Sequence, residues 1–242
     1  MWFRLGLDAP FAYNIEKALE EHPGWVRNQL QRKDEPEVLN FFIYGASTFV
    51  GLYAAQMVRT SAEMSGKEVR LFGAASKARW EMLRSAPYRY IYLVDYREKD
   101  WPKQIQELSG GGMHFAYDRI SEGSSAECVS STLATNGKVV IVRWRAGGAW
   151  EAGSLPVELI YGAVWEDLGE EVQYQGLTVK KSPAARDFAV QFYKWLSERV
   201  RTALKPNPVR LMPGGLGRVV ADGFRLLGPE KMEERKIKRM EE

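Results

Sequence analysis

The sequence predicts an α/β protein, an open, doubly wound, mostly parallel sheet with a C-terminal helical extension. Three observations carry this. Between residues 39 and 145, five short apolar runs alternate with four segments of helical period, the pattern of repeated βαβ units. The connections have the length of right-handed crossovers, which leaves little room for another topology. The first apolar run also hands over to its helix through a turn of small residues, Gly45-Ala46-Ser47-Thr48.

Residues 1–38 read as a lead-in with a short helix at 14–21, closed by the charged, proline-containing run 32–37. Residues 39–145 form the α/β core. The run 39–44 is a buried strand, and 49–65 is a helix by the spacing of Val50, Tyr53, Ala54, Met57 and Val58, stopped at Gly66. A second strand at 68–72, a helix at 76–85 and a third strand at 90–94 follow. Asp100 caps a helix that carries Pro102 in its first turn and Trp101, Ile105 and Leu108 on one face. A fourth strand at 113–117, a helix at 124–133 and a fifth strand at 138–143, after the Asn136-Gly137 turn, complete the core.

After Arg145 the alternation breaks, and 146–229 reads as a C-terminal α/β extension. It holds an apolar, aromatic stretch at 159–167. A helix follows, with Ser182 as cap, Pro183 at its first position and Phe188, Phe192, Trp195 and Leu196 on one stripe. Pro206-Asn207-Pro208 is a break, 209–211 a candidate strand, and Gly214-Gly215 opens a last helix through Leu227. The tail 230–242 carries five basic and five acidic residues and reads as solvated and frayed.

Composition excludes several classes of function. The chain has 242 residues, 45% of them hydrophobic and 27% charged, with 34 Lys and Arg against 31 Asp and Glu. A net charge of +3 gives no footprint for nucleic acid. One cysteine, Cys128, and two histidines, His22 and His114, argue against a disulfide framework and against a protein-held metal. No apolar run approaches the roughly 18 residues of a membrane helix. Arg4 and Asp8 interrupt the opening residues, against a secretory leader. A cytoplasmic protein with no membrane contact is expected.

The turn at 45–51 stands where an open α/β sheet binds nucleotide. Its small residues let a diphosphate approach the backbone, and the helix N-terminus favours negative charge. Ser47 and Thr48 add hydroxyl donors, and Gly51 lets helix and strand pack closely. The second strand ends Leu71-Phe72-Gly73, with no carboxylate before Arg79 to accept from a ribose 2′-hydroxyl. Ser76, Lys77 and Arg79 stand there instead. A 2′-phosphate would gain charge-assisted hydrogen bonds from them, so NADP(H) is expected over NAD(H).

The motifs at 42–56, Val94-Asp95-Tyr96-Arg97, residues 117–125, 205–210 and 213–216 together resemble zinc-independent medium-chain dehydrogenase/reductases. The likeness is to the fungal subgroup that holds trans-acting enoyl reductases, and it runs from about 39 to 227. Residues 117–125 stand where that subgroup carries "LDCISEGSS". The resemblance implies a Rossmann-type domain, NADPH as hydride donor, an enoyl (polyketide) thioester as substrate and a polyketide synthase as partner. It places Ser47, Thr48, Phe49 and Val50 at the diphosphate. Ser76, Lys77 and Arg79 fall at the 2′-phosphate and Tyr96 along the adenosine. Val142 lies near the nicotinamide, with Ile160, Tyr161 and Gly162 toward the substrate. It supplies no catalytic residue. Tyr44, Tyr117 and Tyr161 are candidate proton donors whose plainer reading is half-buried strand or loop tyrosines.

Family members carry a barrel-like (GroES-like) N-terminal domain ahead of the nucleotide domain, and the resemblance implies that this chain lacks it. A one-walled cleft cannot exclude water or clamp an acyl chain. Trp150, Tyr161 and Trp165 are candidates for the surface left to be covered. Three readings follow: a reductase completed by a partner or a second copy, a redox-inactive homologue that binds nucleotide or shapes a polyketide chain, and an inactive truncated product.

Overall fold

The structure, a computed structural model, describes residues 2–5, 7–21, 37–143, 155, 157–174, 176–200, 202–209 and 211–223. The chain divides into two compact units, Met1–Pro206 and Asn207–Glu242.

In the first unit, strands β1 (Val38–Tyr44), β2 (Glu68–Ala74), β3 (Tyr92–Val94), β4 (Met113–Asp118), β5 (Leu133–Ile141) and β6 (Leu159–Tyr161) form one sheet in the order β3-β2-β1-β4-β5-β6. Every neighbouring pair is parallel. The α/β, doubly wound parallel sheet expected from the alternation is therefore present.

β1 sits at the centre, paired with β2 on one side and β4 on the other. Six of its seven residues are buried, because helices cover both faces of a parallel sheet. Its side chains alternate between the two layers. Phe41 and Ile43 join Leu52, Ala55 and Val58 of helix α3 (Phe49–Ser65) in the main core. Phe42 and Tyr44 face the other way, onto Trp101 of helix α5 (Trp101–Ser109), at ring distances of 5.6 and 5.2 Å. Burying side chains of this size stabilises by roughly 1.5–3 kcal/mol each.

The bounds of α3 follow from its caps. The Thr48 side chain accepts from the Gly51 N–H, and Gly66, at φ 68°, closes the other end in the left-handed region. Helix α7 (Pro183–Arg199) starts as its sequence predicts. Ser182 Oγ accepts from the Ala185 N–H at 3.1 Å, and the Glu21 carboxylate accepts from the Ala184 N–H, also at 3.1 Å. The lead-in holds α1 (Trp2–Leu5) and α2 (Ile15–Glu21), which Glu21 ends, so the lead-in docks on α7. Trp2 and Phe11 fill the seam against Trp195 and Phe188, at 5.4 and 5.2 Å.

Several elements differ from the sequence expectation. Residues 76–85 form a short 3-10 turn, Lys77–Arg79, before α4 (Trp80–Arg84). Asp100 stands at the start of α5, but its side chain makes no capping bond. Helix α6 (Ser125–Ser130) stops short of Leu133, because Thr132 turns the chain back by hydrogen bonds to Val129. Asn136, at φ 64°, makes an irregularity within β5 rather than the boundary before it. β6 is a sixth strand, after which Val164–Leu168 coils into a 3-10 turn. β7 (Val172–Tyr174) and β8 (Leu177–Val179) form a small hairpin.

In the second unit, Val209 and Leu211 lie in no strand. Beyond Gly214-Gly215 the described chain forms a 3-10 turn, Leu216–Arg218, and a π-type turn, Val219–Gly223, joined by the Arg218–Asp222 ion pair. The end of the expected helix at Leu227, the tail 230–242 and Trp150 lie outside the described residues. No helix among the described residues is long and apolar enough to cross a membrane.

Candidate functional site

Because β1 to β6 run parallel, their C-terminal ends share one edge of the sheet, and the loops that leave them line up in strand order. Tyr96 follows β3, while Ser76, Lys77 and Arg79 follow β2. Residues 45–50 follow β1, residues 119–124 follow β4, and Val142 follows β5. Ile160 and Tyr161 end β6, and Gly162 comes next. The order reverses between β1 and β4, where such a sheet opens a crevice. The residues that the sequence assigned to coenzyme and substrate therefore follow or end the strands along this edge.

The β1–α3 turn is tightly built. Gly45 adopts φ 79°, and the Ala46 N–H donates to the Ala74 carbonyl at 3.0 Å. A Cβ on Gly51 would lie 2.4 Å from the Gly45 carbonyl oxygen and 2.8 Å from that of Ala46. Helix and turn are thus in backbone contact, the approach for which Gly51 was singled out. The hydroxyl of Thr48 is a correction to the sequence reading. Its Oγ1 donates to the Gly45 carbonyl at 2.7 Å and accepts from the Gly51 N–H at 3.1 Å and from Arg119 Nε at 2.6 Å. One proton and two lone pairs are spent, so Thr48 caps the helix and has no proton for a phosphate. Ser47 is half-buried and its hydroxyl remains available among the described residues. Phe49 and Val50 are exposed on the first turn.

At the end of β2, Lys77 Nζ lies 2.7 Å from Glu98 Oε1, in the loop after β3. The hydrogen bond to Glu98 raises the lysine pKa, and bonds from Gln104 and Lys77 lower that of Glu98. The cation found in the sequence thus has a carboxylate opposite it that local spacing did not reveal. Arg79 is exposed beside it. Ser76 precedes the 3-10 turn, and its side chain makes no capping bond. Tyr96 is half-buried, with the Arg97 guanidinium 4.9 Å over its ring.

The loop after β4 is held by a buried carboxylate. Asp118 Oδ1 accepts from the backbone N–H groups of Ile120 and Ser121 at 2.9 and 2.8 Å, and Oδ2 accepts from Ser125 Oγ at 2.7 Å. Burial raises its pKa, and these bonds oppose the rise. Ser121 Oγ then accepts from the Val142 N–H at 3.0 Å, which ties the β4 loop to the end of β5. Val142 therefore takes part through its backbone. Sequence reasoning quoted this stretch as a motif without seeing its work. The Asp-x-x-Ser spacing was the available signal, since a carboxylate with such neighbours readily folds a turn onto itself.

Burial holds all three candidate tyrosines above the ordinary tyrosine range. Tyr44 is buried, and desolvation raises its pKa first, with Asp118 adding to the effect. Tyr117 is pushed up to about 12 by burial, and Tyr161 is raised by burial and then by Glu166.

Asp167, in the 3-10 turn after β6, is pushed up to about 6 by burial, with Glu166 raising it further and Arg186 pulling it back. Arg186 donates to the Asp167 carbonyl rather than to its carboxylate. A raised folded pKa means that the stability linked to this group is fully present below the ordinary carboxylate range. It is lost as the pH rises through about 6. Thermal melts of Asp167→Asn should therefore be less pH-dependent between pH 5 and 7.5 than those of the wild type, with a higher Tm at pH 7.5. Parallel curves would contradict this environment. Nearby, Trp165 packs on Tyr174 at 4.6 Å.

No protein-family model matches the sequence. Two curated fungal proteins are similar to it. Trans-enoyl reductase ffsC of Aspergillus flavipes is 26% identical over 218 residues, which cover 89% of this chain and 56% of that protein. Trans-enoyl reductase ACTTS2 of Alternaria alternata is 27% identical, over 74% of this chain and 49% of that protein. The chain spans about half the length of the curated relatives it matches. Among solved structures, the CurK enoyl reductase superposes with a TM-score of 0.55 at 18% identity, covering 82% of this chain and 53% of that one, which shows a shared fold.

The fold, a parallel sheet whose strand order reverses between β1 and β4, is the α/β fold of enoyl reductases of known structure. In sequence the chain is similar to fungal trans-enoyl reductases, the subgroup its motifs resemble.

Proposed function

We propose that the chain is the nucleotide-binding part of an NADPH-dependent reductase of the trans-enoyl reductase type, acting on the double bond of an enoyl (polyketide) thioester. The observation that carries this is the reversal of strand order beside the Gly51 turn, with three polar or cationic residues, Ser76, Lys77 and Arg79, where an NAD site places its carboxylate. The names of the sequence relatives support the reaction class.

The residues present fit the coenzyme. A Cβ on Gly51 would meet the Gly45 and Ala46 carbonyls, and one on Gly45 would meet Ile120, so the glycines let α3 and the loop after β4 close on the turn. In this reading the turn 45–50 holds the diphosphate, and Ser76, Lys77 and Arg79 read the 2′-phosphate, with Lys77 shared between it and Glu98. Tyr96 lies along the adenosine half. The Val142 backbone and Ile160, Tyr161 and Gly162 border the nicotinamide end. Bound NADPH supplies the hydride for the β-carbon of the enoyl thioester, and a proton reaches the α-carbon. This chain's residues hold and orient the coenzyme. The partner in this reading is a polyketide synthase that presents the thioester.

The test is NADPH oxidation with an enoyl thioester at a protein concentration where coenzyme binding is saturated. Turnover is expected. Saturable binding without oxidation would favour the alternative, a homologue that keeps the coenzyme pocket and shapes a polyketide chain without hydride transfer.

A further inference from the structure

We propose that Arg119 is the residue that grips the diphosphate bridge of the dinucleotide, a role that rests on the nucleotide reading above. Arg119 is the first residue after β4 and lies against the turn 45–51. Its backbone N–H donates to the Tyr44 carbonyl at 3.2 Å, which fixes the start of its loop to the end of β1. Its Nε donates to Thr48 Oγ1 at 2.6 Å, which fixes the guanidinium at the first turn of α3. Both Nη groups make no hydrogen bond among the described residues, so one edge of a planar donor fork is left over.

The charges around it decide what that edge is for. Arg119 is half-buried, and burial lowers its pKa, yet an arginine stays charged under such a shift. The two carboxylates nearest in sequence are engaged elsewhere. Asp118 is turned inward onto Ile120, Ser121 and Ser125, and Glu122 pairs with Arg143. Arg143 adds a second positive charge nearby and lowers the Arg119 pKa further. A half-buried cation without a carboxylate partner in hydrogen-bond reach carries a desolvation cost that an anionic ligand relieves. A diphosphate suits it, because a guanidinium edge binds two phosphate oxygens at once.

The position predicts a distinctive pattern. The diphosphate is common to NADPH and NADH, whereas 2′-AMP lacks it. Loss of charge-assisted hydrogen bonds implies that Arg119→Gln weakens both dinucleotides by about tenfold or more, with 2′-AMP unaffected. Arg119→Lys should recover part of the loss, as a point charge without the fork. Fluorescence titrations of NADPH, NADH and 2′-AMP into the wild type and both variants, with melts to verify folding, read this directly. Unchanged dinucleotide affinity in a folded Arg119→Gln protein would overturn the assignment, as would an equal loss of 2′-AMP, which marks a structural role. A wild type that binds neither dinucleotide would overturn the nucleotide reading itself, a separate outcome visible before any variant is made.

Discussion

Gly51→Val should abolish coenzyme binding and destabilise the fold by about 3 kcal/mol or more, the scale of severe overpacking. The reason is backbone contact. Even the first added carbon would meet the Gly45 carbonyl oxygen at 2.4 Å and that of Ala46 at 2.8 Å, and neither atom belongs to a side chain that can swing away. Relief requires moving the first turn of α3 off β1. That movement breaks the Thr48 cap, and with it the anchoring of Arg119 on Thr48. A branched residue adds bulk to a clash that alanine already creates. Gly217→Ala is the matched control, because its Cβ would meet nothing within 4 Å. Thermal melts and NADPH titration of both variants test the contrast. A Gly51→Val protein with unchanged Tm and coenzyme affinity would show that the turn does not hold the helix as described.

The second large effect is on coenzyme choice. Lys77→Ala combined with Arg79→Ala should weaken NADPH by about tenfold or more and leave NADH within about twofold, because these cations are placed to meet only the 2′-phosphate. Lys77 is exposed and already paired with Glu98 at 2.7 Å, so the double variant is needed to remove both sources of positive charge. Solvent screens these groups, and the gap between the coenzymes should narrow as salt is raised. Equal losses for NADPH and NADH in the same titration would mean that neither side chain reads the phosphate. Arg119→Gln and this pair should act on different parts of one ligand, so their effects on NADPH should add.

Much of this was written locally in the chain. The spacing of Val50, Tyr53, Ala54, Met57 and Val58 ahead of Gly66 placed α3 where the structure has it, because stripe and stop agree. The alternation gave five strands of the parallel sheet. β6 was missed because three half-buried residues carry too short a pattern to separate from the apolar stretch around them. The limits of α6 and β5 were misplaced because Asn136 could mark a turn or an irregularity, and only pairing with β4 decides. The crevice residues were placed by counting strands. Their partners were not, since Thr48 meets Arg119 across 71 positions of chain, a contact made by strand order. Thr48 was read as a phosphate donor for the same reason. A hydroxyl that follows a left-handed glycine has a nearby carbonyl to bond, and its proton goes there first.

The most direct measurement is a fluorescence titration of the wild-type chain with NADPH and, in parallel, with NADH. Saturable binding of both, tighter for NADPH, is the result expected from a crevice between β1 and β4 flanked by Lys77 and Arg79. Absence of saturable binding for either coenzyme, or tighter binding of NADH, would contradict it.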